Sequence, residues 1–162
     1  GRVLDVACGT GSNFRYLDGA DEVVGIDLSP AMLAEAQESL AAAPVDGSLH
    51  QMNAQRLAVP DDEFDTVISA LSMCTFPEPV AALDEMARVC APDGRILLFE
   101  HGRSDVSAIA RFQDWRADAH YEKTGCRWNQ APLELVEEAE LSVERVETAV
   151  LGIFTMVAAT PE

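Results

Sequence analysis

Two glycines one residue apart, placed where a buried strand has to turn, constrain this chain more than any other feature. Val3-Leu4-Asp5-Val6 is a short apolar run that reads as a strand, and the stretch Ala7-Cys8-Gly9-Thr10-Gly11 follows it at once. Without a β-carbon, Gly9 and Gly11 let a ligand approach the backbone closely at this turn. A second run of the same kind, Glu22 to Asp27 (EVVGID), ends in an acid sixteen positions after Gly11. At the end of a strand beside a glycine turn, Asp27 can accept both hydrogen bonds of a ribose diol. A dinucleotide fingerprint would place a third glycine at position 14, where this chain has Phe14, and the lysine of a P-loop is absent as well. Nicotinamide and flavin binding are therefore disfavoured.

The rest of the chain continues the alternation. Ser12 to Leu17 has room for a short helix capped by Ser12. Ser29 can cap a longer one, with Pro30 at its first position and Ala, Leu and Met residues carrying it to about 42. Ser48 to Met52 reads as a third strand and Phe64 to Ala70, rich in β-branched residues, as a fourth. The spacing of Val80, Leu83, Met86, Ala87 and Cys90 predicts a helix from about Glu78 to Cys90. Pro92-Asp93-Gly94 then turns into a fifth strand, Arg95 to Glu100. Strands alternating with helices imply an α/β fold, a parallel sheet covered on both faces.

Beyond Glu100, Asp105 to Tyr121 predicts an amphipathic helix packed on the core through Ile109, Phe112, Trp115 and Ala119. A short helix near Ala131 to Ala139 precedes two runs, Ser142 to Val150 and Ile153 to Ala159. The Leu151-Gly152 connection between them is tight enough to force an antiparallel pair.

Composition narrows the partners. The chain of 162 residues is long enough for one hydrophobic core, so a single domain over 1–162 is expected. It carries 28 acidic residues against 11 basic ones, a net charge of −17. A phosphate backbone would be repelled, which argues against nucleic acid. The acids, Asp61, Asp62, Glu137, Glu138 and Glu140 among them, read as a solvated face; adaptation to high salt is the sharper alternative. No apolar run approaches the roughly 20 residues of a membrane span. Because the first strand begins almost at Gly1, a native N-terminal segment is expected to be missing, with any anchor or targeting signal in it. Cys8, Cys74, Cys90 and Cys126 are far apart, as are His50, His101 and His120, so free thiols in a reducing cytoplasm are expected and no metal site.

These residues resemble the class I S-adenosylmethionine-dependent methyltransferases, in the branch that includes quinone-biosynthesis and many small-molecule enzymes. The resemblance covers nearly the whole chain. Asp5, Gly9 and Gly11 match the first motif, whose backbone holds the methionine part of the cofactor, and Asp27 matches the ribose-binding acid. Leu28 stands where an apolar residue packs against adenine. Asn53-Ala54 replaces the usual Asp-Ala beside the adenine amino group, a departure that still offers a carbonyl acceptor. LAVPDDEFDTVIS (57–69) and RVCAPDGRILLFEH (88–101) resemble the approach to the fourth strand and the turn into the fifth. The resemblance implies a Rossmann-like, doubly wound, seven-stranded sheet with an antiparallel last strand, order 3-2-1-4-5-7-6, and S-adenosyl-L-methionine as cofactor. GTGSNF (9–14), Glu100-His101, Gly125-Cys126 and LGIF (151–154) are similar to a narrower group related to alkyl-thiol methyltransferases.

The acceptor is expected over the ends of the fourth and fifth strands, which nominates Ser72, Met73, Cys74, Thr75, Phe76 and His101. His101 is either a general base or an imidazole hydrogen-bonded in a loop. Cys74 reads as an apolar lining residue. Trp115, Tyr121 and Trp128 either form a lid over a small, lipophilic acceptor such as a thiol or quinol, or pack in the core. A non-catalytic module that binds S-adenosylmethionine remains the second reading.

Overall fold

The computed structural model describes residues 1–161. Seven strands, β1 (Arg2–Val6), β2 (Glu22–Asp27), β3 (Gly47–Gln51), β4 (Phe64–Ala70), β5 (Cys90–His101), β6 (Ser142–Ala149) and β7 (Phe154–Thr160), form one sheet in the order β3-β2-β1-β4-β5-β7-β6. The first five run parallel, and β7 pairs antiparallel with both β5 and β6. The expected order and the antiparallel last strand are both present.

The β1 and β4 positions explain this arrangement. Leu4, Val6, Ile26 and Val67 are completely buried in the central strands, and each such side chain is worth about 1.5–3 kcal/mol of hydrophobic transfer. On one face they meet α2 (Pro79–Val89), through Ala82, Leu83 and Met86, and α4 (Pro132–Glu138), through Val136. The opposite face buries Val3, Val23 and Phe14 against Ala36 and Leu40 of α1 (Pro30–Ala41). Ser29 caps α1 as expected, its hydroxyl accepting from Met32 N–H, with Pro30 in the first turn.

Four expectations need correction. The helix proposed for Ser12 to Leu17 is a single 3-10 turn, Phe14–Tyr16, preceded by Asn13, whose amide is committed to Asp5. Pro92-Asp93-Gly94 is a bulge inside β5: Phe64 pairs with Cys90 and Thr66 with Arg95, so five steps on β5 oppose two on β4. Coverage of the sheet is unequal, because Leu97, Phe99 and Met156 remain exposed on the α1 side of β5 and β7. Finally, α3 (Ser107–Thr124) does not lay its aromatic stripe on the core: Trp115 is 75% and Phe112 53% exposed. It is held by two buried side chains, Ala110 and Gln113; the Gln113 amide accepts from Ser104 N–H and donates to the carbonyls of Gly102 and Trp128, and Asp114 pairs with Arg103.

Candidate active site

The candidate cofactor edge is assembled by the turn after β1. Ala7, Gly9 and Gly11 all have positive φ, which folds the backbone back on itself so that Cys8 N–H donates to Ile26 C=O at 2.8 Å. A β-carbon on Gly9 would meet nothing within 4 Å: the turn faces open space that a ligand can fill. Asp27, ending β2, accepts from Gly9 N–H at 3.0 Å and from Ser29 N–H at 2.8 Å. The amide of Asn13 donates to both oxygens of Asp5 at 3.2 Å.

Electrostatically this edge calls for a cation. Asp5 is fully buried at the end of β1, and burial pushes its carboxyl up to about 7; the Asn13 hydrogen bonds oppose the shift and the charge of Asp27 adds to it. Burial, with Asp5 and Asp27 beside it, pushes the Cys8 thiol up to about 12, so Cys8 is an inert filler of the turn. With Asp5 in its charged form, this acid and Asp27 around an open glycine turn would suit a cationic ligand, and Asp27 keeps free lone pairs for a diol.

Leu28, Asn53 and Ala54 follow on the same edge. They line a slot of about 160 Å³ with Asp27, Met52 and Phe76. Leu28 is 64% exposed at its mouth, and Ala54 is buried in its wall. The Asn53 side-chain oxygen accepts from Gln55 N–H at 3.0 Å, which stabilises the local turn and leaves a second lone pair for a ligand. Phe76, expected at the acceptor, lines this slot and not the cavity of His101, because the backbone is extended at Phe76 and the ring packs in the core.

A separate cavity of about 480 Å³ opens beyond β4 and β5, walled by His101, Phe112, Cys126, Trp128 and Phe154. Trp128 is fastened there: its indole N–H donates to Gln113 C=O at 3.1 Å, and His120 stacks on its ring at 4.2 Å. Tyr121 lies outside this lining, and its ring instead carries the Arg127 guanidinium. Burial, aided by His120, holds the His101 imidazole below its ordinary range, and its Nε2 lies 3.4 Å from Cys126 Sγ.

The cluster around His101 corrects the expectation of scattered ligands. Cys74, 27 positions before it, and Cys126, 25 positions after it, are folded together with it, and their sulfur and nitrogen atoms all lie within 4.8 Å of one another. Burial, and then the Cys126 neighbour, push the Cys74 thiol upward. Sequence reasoning also passed over Glu100. This buried carboxylate accepts from Ser69 Oγ at 2.8 Å, Ser72 N–H at 3.0 Å and Met73 N–H at 3.2 Å, and thereby holds the turn that presents Cys74. Its sequence signals were an acid at the end of an apolar strand and the Glu100-His101 resemblance, and neither assigned it a role. A second cavity of about 480 Å³ lies on the open sheet face over Leu97, Phe99 and Met156; Asn13 is the one residue it shares with the cofactor edge.

Residues 4–98 match the methyltransferase domain family. The chain is 36% identical to a phosphatidylethanolamine N-methyltransferase of Cereibacter sphaeroides, over 88% of this chain and 74% of that protein. It is 29% identical to the mitochondrial methyltransferase OMS1 of Saccharomyces cerevisiae over 94% of its own length but spans only 36% of that protein. A SAM-dependent methyltransferase from Aquifex aeolicus shares the fold, with a TM-score of 0.73 and 21% identity, covering 99% of this chain and 82% of that one.

Proposed function

The chain belongs to the S-adenosylmethionine-dependent methyltransferases of the methyltransferase domain family, and on that premise we propose that it methylates a small, lipophilic acceptor, a thiol or quinol, held in the cavity of His101 and Trp128. The observation that carries this reading is that one edge of the sheet, at the carboxyl ends of β1, β2, β4 and β5, carries two sites with opposite chemistry. One is an acidic glycine turn, Asp5, Gly9, Gly11 and Asp27, continued by Leu28, Asn53 and Ala54; the other is an apolar cavity whose polar wall is His101 with Cys126.

In this assignment the bound cofactor supplies an activated methyl group on a cationic sulfur. Asp27 holds the ribose and keeps the glycine turn closed; Asp5 places negative charge near the positive end. Leu28 and Ala54 bracket the adenine and Asn53 offers it an acceptor. The principal task of the protein is then to hold the acceptor atom in line with the methyl at near-attack distance, which the aromatic walls of Phe112, Trp128 and Phe154 do by confinement. A protic acceptor must also lose its proton, and that loss takes place at the wall formed by His101 and Cys126.

No helix among the described residues is long and apolar enough to cross a membrane. The four cysteines are free, as suits a reducing compartment such as the cytoplasm. The experiment is calorimetric titration with S-adenosylmethionine and S-adenosylhomocysteine, followed by a screen of alkyl thiols and quinols for S-adenosylhomocysteine release. Saturable cofactor binding with turnover on members of either class supports the reading. Turnover confined to large, charged or polymeric acceptors refutes it.

A further inference from the structure

Three side chains of ligand type meet at one end of the acceptor cavity. Cys74 comes from the turn after β4, His101 closes β5, and Cys126 follows α3. Cys126 Sγ stands 3.4 Å from His101 Nε2, and all three ligand atoms lie within 4.8 Å of one another. A tetrahedral zinc, with Zn–S near 2.3 Å and Zn–N near 2.0–2.1 Å, sets its ligand atoms about 3.5–3.8 Å apart. The cluster therefore needs to contract by about 1 Å at most to close on the ion.

The donor set and its bracing also suit a metal. Two sulfurs with an imidazole and no carboxylate is the combination that favours zinc over the hard cations. Arg127 N–H donates to Cys74 C=O at 2.8 Å, which ties the Cys126 segment to the Cys74 turn, and Glu100 fixes that turn from below. Cys126 N–H in turn donates to Thr124 Oγ1 at 3.2 Å. His101 and Cys126 both line the apolar cavity, so a fourth coordination position has room on the cavity side. Three protein ligands and one open position is the pattern of a catalytic zinc.

We infer that Cys74, His101 and Cys126 take one Zn²⁺ and leave its fourth position open to the cavity, where it holds an alkyl thiol acceptor as its thiolate. The choice of acceptor rests on the methyl-transfer reading above; the metal site does not. The thiol releases its proton to bulk water on coordination, because only the thiolate is a good ligand and nucleophile. A sulfur lone pair of the thiolate then bonds to the methyl carbon. The bond from that carbon to the sulfonium breaks with its electron pair kept by the departing sulfur, leaving S-adenosylhomocysteine and a methyl thioether.

The test uses the full chain, reduced, stripped with EDTA and recharged with Zn²⁺ or, for spectroscopy, Co²⁺. One equivalent of Zn²⁺ is expected to survive gel filtration, and the Co²⁺ form should show thiolate charge-transfer bands with the intense visible bands of a tetrahedral site. Cys126→Ser and His101→Gln should each retain less than about a tenth of an equivalent, while Cys90→Ala, altered elsewhere in the core, keeps the full amount. Circular dichroism and S-adenosylhomocysteine titration of each variant establish that it is folded. Wild-type protein that retains less than about a tenth of an equivalent, forms a Cys74–Cys126 disulfide in place of binding, or holds Zn²⁺ equally well as the two variants, overturns the site. Visible Co²⁺ bands that shift with excess alkyl thiol support the thiol assignment; bands that do not move overturn it. Loss of S-adenosylhomocysteine binding in a protein that still holds its metal would count against the methyl-transfer reading alone.

Discussion

The carboxylate of Asp27 accepts the backbone N–H of Gly9 at 3.0 Å, so the acid assigned to the ribose also closes the glycine turn assigned to the rest of the cofactor. The two tasks share one side chain. Its other oxygen takes Ser29 N–H at the start of α1, which locks the carboxylate in orientation.

Asp27→Ala should therefore weaken binding by more than one lost ribose contact. A hydrogen bond to a charged group is worth about 1.5–3 kcal/mol, a factor of roughly 10–100, and loosening of the turn adds to it. Calorimetry with S-adenosylhomocysteine measures the loss. Asp27→Asn, which can still accept from Gly9 N–H, should lie between the wild type and Asp27→Ala; equal affinity in all three proteins would remove Asp27 from the site.

Gly9→Ala and Gly11→Ala should separate cofactor binding from stability. Both glycines have positive φ, where a β-carbon costs about 1–2 kcal/mol. At Gly9 the added methyl points into empty space, so folding should suffer little beyond that strain while cofactor affinity falls at least about tenfold through steric exclusion. At Gly11 the methyl would overlap the buried Phe14 ring, and overpacking should cost a further 1–3 kcal/mol or so. Denaturant melts and titrations on the two variants check both halves of the contrast.

Asp5 gives the fold a specific pH dependence. Its carboxyl is raised from 3.8 to about 7 in the folded chain, chiefly by burial. Below about pH 4 folded and unfolded states both hold the proton and there is no difference between them. From about 4 to 7 only the folded state holds it, so stability falls as the pH rises, and above about 7 the full cost of a buried charge, up to about 4 kcal/mol, is present. Asp5→Asn should remove this component: its denaturation midpoint should match the wild type near pH 4 and exceed it at pH 8, while its affinity for the cationic cofactor drops. A wild-type slope retained in the variant would contradict the assignment.

What was legible in the sequence was what is local. Gly9, Gly11 and Asp27 announce themselves because the turn and the strand end that need them are each only a few residues long. The sheet followed from strand runs such as FDTVISA and RILLFE, whose apolar content reports burial directly. The Cys74–His101–Cys126 cluster was invisible for the opposite reason: no spacing rule links positions 27 and 25 apart, and only the parallel crossover from β4 to β5 and the return after α3 bring them together. That Phe76 lines the Asp27 slot and not the His101 cavity was not legible either, because the extended backbone after the Met73–Thr75 turn decides which pocket it faces. The Phe112 and Trp115 stripe had helical spacing, but α3 buries Ala110 and the polar Gln113 instead, and periodicity does not report a buried amide.

Net charge should show in salt dependence. With −17 at neutral pH and acids such as Asp61, Glu137 and Glu140 exposed, self-repulsion opposes the compact state in dilute buffer. At molar salt the screening length falls to about 3 Å, so the thermal midpoint should rise on going from dilute buffer to molar KCl. A midpoint that does not rise would rule out salt adaptation.

Trp128→Ala tests the acceptor cavity apart from the cofactor edge. The indole forms part of the apolar wall, fixed by its N–H to Gln113 C=O and by the stacked His120, and no residue of the Asp27 slot touches the same cavity. Removing it enlarges the cavity and frees His120, so a small lipophilic acceptor should lose contact area and confinement together. The acceptor's KM should rise about tenfold, equivalent to roughly 1.4 kcal/mol, with kcat falling as well because in-line alignment is looser. S-adenosylhomocysteine affinity should stay within about twofold of the wild type, since the turn and the slot are untouched. Steady-state kinetics with the best thiol or quinol, beside a cofactor titration, measure both. A change in cofactor affinity with an unchanged acceptor KM would mean that Trp128 supports the fold of the edge rather than the acceptor, and would move the acceptor site away from this cavity.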